Sequence, residues 1–144
     1  MPSQNCGSVF RIDHPVESRL IENMHLENGL ALEMFDKSRP IAGDRWLVSF
    51  EARIEVEVRR EYFRNKHKAD VSFEDIRAAV GERVLYCYET VRNFIGKTEK
   101  DDIFKELKKR FLNTNIGYLS GPDFPPRLIL RKYKEALYQR RSRW

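Results

Sequence analysis

From Trp46 to Val58 the chain alternates almost without error. Trp46, Val48, Phe50, Ala52, Ile54, Val56 and Val58 fall on one side, and Leu47, Ser49, Glu51, Arg53, Glu55 and Glu57 on the other. A period of two in residues rich in β-branched and aromatic side chains predicts a strand with one buried and one wet face. Such a strand needs paired neighbours and a layer over its apolar side.

Two earlier segments supply neighbours. Val16 to Leu26 reads as a first strand and Leu30 to Phe35 as a second, with Glu27-Asn28-Gly29 as the turn. A two-residue Asn-Gly loop would set Leu32 against His25 and Met34 against Asn23. A three-residue loop with Gly29 left-handed sets Leu30 against Leu26 and Leu32 against Met24. Only the second brings apolar residues together, and a one-residue slip would turn them to the wrong face, so the three-residue loop is predicted. Asp36 to Arg45 is then a long connection into the Trp46 strand.

The period changes after Asp70. Ser72 with Asp75 makes a capping signature, and Phe73, Ile76, Val80, Val84, Cys87, Val91, Phe94 and Ile95 recur at spacings of three and four. This predicts one long helix that ends at Gly96. Thr98 and Asp101 open a second helix with Ile103, Phe104, Leu107 and Phe111 inward, ended by Asn113 to Asn115. Ser120-Gly121-Pro122 and Pro125-Pro126 break the chain. Pro126 suits the first turn of a third helix, which buries Ile129, Leu130, Tyr133, Ala136 and Leu137. The expected fold is α+β: a three-stranded antiparallel meander followed by three helices, at least the first packing on the sheet's apolar face.

Length and composition agree with one domain. A chain of 144 residues buries about two-thirds of its unfolded surface, and 41% hydrophobic with 12% aromatic residues argues against disorder. Residues 1–15 read as a flexible N-terminal tail and 16–144 as the domain. Met1 to Phe10 lacks the apolar stretch of a signal peptide, and no run is long enough to span a membrane. Cys6 falls in the tail and Cys87 among apolar helix positions; a free, buried thiol at Cys87 fits a reducing cytoplasm. The net charge of +5 is concentrated near the C-terminus. Residues 125–144 hold seven Lys/Arg against the single acid Glu135, which leaves the rest of the chain close to neutral.

Three segments invite a functional reading. In the 36–45 connection, Ser38, Arg39, Asp44 and Arg45 form a candidate anion- or nucleotide-binding set; the plainer reading has Asp36, Ser38 and Asp44 bonding turn amides while the arginines pair with the sheet's glutamates. Asp36-Lys37-Ser38 resembles the start of the Asp/Asn-x-Ser-x-x-Gly motif of PilZ domains. Ile41 stands at the glycine position, however, Gly43 comes two residues late, and Arg11 and Arg19 do not have the spacing of that family's arginine pair, so the comparison is rejected.

On the third helix, Arg127, Arg131, Lys134 and Arg141 share one arc with Tyr138, a face suited to nucleic-acid phosphates, and Arg140 to Trp144 would extend it. The alternative is a solvated basic face meeting acidic surface such as Glu51, Glu55 and Glu57. Arg59 to Lys68 interleaves cations with Tyr62 and Phe63. Base stacking is conceivable there, but packing is favoured for Phe63.

Catalysis has little to stand on. His14, His25 and His67 lack ligand spacing, no phosphate loop or nucleophile elbow occurs, and the three glutamates lie on the wet face, where a carboxylate is a poor acid at neutral pH. No metal or cofactor is expected. The sequence reads first as a small, soluble, cytoplasmic, non-catalytic protein acting through protein contacts. A homodimer is expected because Leu85 and Tyr86 lie off the helix stripe and strand edges need cover. A nucleic-acid module using the third helix comes second, and a small-ligand sensor using the 36–45 loop third.

Overall fold

The computed structural model describes residues 18–63 and 72–141. Cys6, His14, His67, the first residues of the expected first strand and the chain after Arg141 lie outside them. The fold is α+β: an antiparallel sheet with three α-helices, as the patterning predicts, but with five strands in place of three.

The centre is the alternating run. Strand β4 (Arg45–Glu57) presents Val48, Phe50, Ala52, Ile54 and Val56 to the core, all at 0% exposure. On one side it pairs with β2 (Ala31–Asp36) and then β3 (Arg39–Ala42); β1 (Arg19–His25) lies beyond β2. The β1–β2 loop has the expected form. Met24 stands opposite Leu32, the Leu26 amide donates 2.8 Å to the Leu30 carbonyl, and Gly29 sits at φ +89°, where a side chain would be strained. The 36–45 segment is a hairpin arm rather than an open loop, because β3 pairs with the start of β4, Arg39 opposite Leu47.

The long helix predicted over 73–95 is wrong in its second half. Helix α1 (Phe73–Val80) begins as expected, with the Ser72 hydroxyl accepting the Asp75 amide at 3.1 Å. It stops at Gly81, whose φ of +88° turns the chain while its amide donates to the Arg77 carbonyl at 2.8 Å. The next fourteen residues form strand β5 (Arg83–Gly96), antiparallel to the free side of β4. Spacings of three and four run through Val84, Cys87 and Val91, but Val84, Tyr86, Tyr88 and Thr90 also alternate. This β-branched and aromatic set faces Val56, Ile54, Ala52 and Phe50, completing a sheet edge that a helix would leave unpaired.

Helix α2 (Lys100–Leu119) lies against β4, where the Phe50 ring meets Phe104 and Phe111 at 5.8 and 5.4 Å. It runs past the expected stop at Asn113–Asn115, because Ile116 and Leu119 continue its apolar face while the side-chain amide of Asn115 donates back to the Phe111 carbonyl at 3.0 Å. Helix α3 (Phe124–Arg141) has Pro125 and Pro126 in its first turn and buries Phe124, Leu128 and Ile129. α1 packs on α3 and enters the same core through Ile76.

Candidate functional site

The 36–45 segment spends its polar groups on its own backbone. Asp36 Oδ1 accepts the Ser38 amide at 2.9 Å, and Ser38 Oγ accepts the Ser49 amide at 3.0 Å, which secures the irregular step between β2 and β3. Asp36 Oδ2 pairs with Arg19 at 2.7 Å. Arg39, Asp44 and Arg45 are exposed around the hairpin, with Arg45 Nε 3.7 Å from Asp44 Oδ1. The Ser38 hydroxyl thus serves β4 rather than joining these three as part of an anion cradle.

A polar cluster that sequence reasoning missed occupies the other face of the sheet. Glu51, expected in water with Glu55 and Glu57, is 0% exposed. Lys37 Nζ lies 3.1 Å from its Oε1, Arg53 Nε donates 2.8 Å to its Oε2, and Cys87 Sγ is 3.3 Å from the same oxygen. Ser49 Oγ donates to Glu89 Oε2 at 3.1 Å, and the Arg53 guanidinium stacks 4.6 Å over the Phe35 ring. Register makes the cluster, since Phe35 and Glu89 stand opposite Glu51 from the two sides of β4. A carboxylate this enclosed, held by two cations, is a structural ion cluster with no face left for a substrate. Cys87 is not the free thiol expected: it is disulfide-bonded, to a partner outside the described residues. The argument from a free thiol to a reducing cytoplasm therefore falls.

The segment after β4 resolves toward packing. In the short 3-10 turn Arg60–Phe63, Tyr62 and Phe63 are both half-buried against the core, and Phe63 meets Phe73 at 6.3 Å. Arg60 covers the Phe73 ring at 4.7 Å and pairs with Glu74 at 2.8 Å, holding the Glu74 carboxyl below the usual range.

Helix α3 keeps its cations outward. Arg127, Arg131, Lys134 and Arg140 are exposed, and the backbone carries Arg141 at the helix end. The acids proposed to meet them are engaged elsewhere: Glu51 by Lys37 and Arg53, Glu55 by Arg83 at 3.6 Å, Glu57 by Arg59 at 3.0 Å. Among the described residues the ion pair on this helix is Lys132 with Glu135, at 4.0 Å, and Arg127, Arg131 and Lys134 have none. Tyr138, within the stripe, is 71% exposed, and Tyr118, 51% exposed, stands edge-on to Phe124 at 5.4 Å near the helix start.

Among the described residues no group of three His, Cys, Asp or Glu could hold a metal ion, and no helix is long and apolar enough to cross a membrane. No protein-family model matches the chain, and neither a curated protein nor a solved structure matches it significantly.

Proposed function

We propose that this domain is a non-catalytic binding module that presents α3 to the phosphate backbone of a nucleic acid. The observation that carries the reading is the unanswered charge on that helix. Arg127, Arg131 and Lys134 stand in water on one arc with no acidic partner among the described residues, while the sheet's glutamates are paired with other cations. A helix of 18 residues extends about 27 Å, long enough to track several phosphates. The exposed Tyr138 ring adds a flat apolar surface within the same stripe. Contacts of this kind recognise backbone rather than sequence.

The test is fluorescence anisotropy with a labelled duplex and a labelled single strand over a range of salt, comparing the wild type with a variant carrying Arg127→Gln, Arg131→Gln, Lys134→Gln and Arg141→Gln. The wild type binds across sequences with a steep salt dependence. The variant stays folded, binds more weakly to all sequences, and shows a slope reduced by about one counterion for each lost phosphate contact. A wild type that binds neither probe at physiological salt overturns the proposal.

A further inference from the structure

The sheet's edges are not alike. β1 is seven residues with an extra residue at Ile21, and β3 is four residues with Pro40 and an extra residue at Ile41. Short length, proline and bulges are the usual means of blunting an edge. β5 lacks these over most of its length. From Arg83 to Arg92 its register against β4 is unbroken, and the irregularity at Asn93–Phe94 comes only afterwards. Val84-Leu85-Tyr86-Cys87-Tyr88 carries no charge. Among the described residues no strand takes its outer side.

We propose that β5 pairs antiparallel with β5 of a second copy, about a two-fold axis at Tyr86, joining the two sheets into one of ten strands. Charge selects both the occupant and the register. A two-fold normal to the sheet keeps each face on its own side, so only residues of the same face can meet. Centred on Tyr86, the pairing sets Val84 on Tyr88, Leu85 on Cys87 and Arg83 on Glu89. The last pair occurs twice, and both residues lie on the outer face, as their positions opposite Glu57 and Glu51 show. The same face rule governs any centre from Leu85 to Thr90. Within the strand, centres other than Tyr86 give no opposite-charge pair; a centre at Cys87 brings Arg92 only to Glu82, which lies before β5, and a centre at Glu89 sets that carboxylate against its own copy. Both partners reach the surface, with Arg83 59% and Glu89 35% exposed. This interface replaces the earlier expectation, in which Leu85 and Tyr86 were off-stripe residues of a helix. It does not depend on what α3 binds.

Light scattering at micromolar concentration tests the state, and crosslinking tests the register. The wild type gives about twice the 17.2 kDa chain mass. Arg83→Glu stays folded by circular dichroism and gives a monomer, since it sets like charges together at both ends. Arg83→Lys keeps the dimer and lets a carbodiimide join Lys to Glu89. Within one chain these positions are about 20 Å apart along the strand, so the linked peptide must be intermolecular. A wild type that is monomeric at every accessible concentration overturns the dimer. A dimer that survives Arg83→Glu, or that yields no such crosslink, overturns the register.

Discussion

The side-chain amide of Asn28 donates to the carbonyl of Leu119, ninety-one residues away, at 2.8 Å. The same nitrogen donates to the Gly121 carbonyl at 2.8 Å, and Asn28 Oδ1 accepts the Leu30 amide at 3.2 Å. One turn residue therefore shapes its own hairpin and satisfies the last carbonyl of α2, at Leu119, together with that of Gly121 in the turn beyond it. Asn28→Ala should cost about 1–3 kcal/mol in urea unfolding, because part-buried acceptors lose their donors. Asn28→Asp should cost at least as much, since a carboxylate cannot donate to them. Two variants as stable as the wild type would show that water serves those carbonyls equally well.

On the strand that centres the sheet, three adjacent side-chain environments separate cleanly. Ile54, fully buried in the core, should cost about 2–5 kcal/mol when cut to alanine. Glu55, exposed and loosely paired with Arg83, should stay within about 0.5 kcal/mol. Glu51 shares the face of Glu55 but not its surroundings. Glu51→Ala should cost about 1–3 kcal/mol, because Lys37 and Arg53 lose a common partner. Denaturant midpoints for the three variants check the order, and equal costs for Glu51 and Glu55 would remove the structural role given to the ion cluster.

Burial pushes the Tyr86 phenol up to about 12, with Tyr88 adding to the shift and Arg131 opposing it. In the unfolded chain a tyrosine ionises near pH 10. Between these values the unfolded chain has released a proton that the folded protein still holds, so stability falls as pH rises from about 10 to about 12. Tyr86→Phe should flatten that limb while leaving stability at pH 7 nearly unchanged. Urea titrations at intervals across this range decide it, and an alkaline limb identical in the two proteins would refute the assignment.

Phe94 has φ +56° and is 67% exposed at the irregular step in β5. A left-handed backbone costs an ordinary residue about 1–2 kcal/mol. Phe94→Gly should therefore be more stable than Phe94→Ala by about 1 kcal/mol, the reverse of the order expected within a strand. Paired thermal melts read this directly.

What was legible in the chain was whatever rested on a local pattern. The alternation in Trp46–Val58 placed the core side of β4 correctly, and the apolar match of Met24 with Leu32 picked the hairpin register. Residues 73–95 failed because two periods coexist there. Val84, Cys87 and Val91 satisfy a helix, while Val84, Tyr86 and Tyr88 satisfy a strand. The enrichment in β-branched and aromatic residues after Gly81 was the signal that should have arbitrated. The strand β3 hid in a segment short enough, and with enough proline and glycine, to read as a loop. Glu51 was out of reach altogether, since its burial depends on Lys37 arriving from the step between β2 and β3 and on Cys87 and Glu89 arriving from β5. The stripe on α3 was visible as spacing, but the absence of acids facing it among the described residues is a fact of the folded arrangement.

Strand β4 also sets the order in which the chain can assemble. Its pairings with β2 and β3 span short loops and close early, whereas its pairing with β5 must wait for the stretch that contains α1. Until β5 docks, one whole edge of the longest internal strand stands open, and so does the uncharged run Val84–Tyr88. Loop-closure entropy makes that edge the costliest one to close, and a chain caught before it closes offers a neighbour two open edges where the folded sheet offers one.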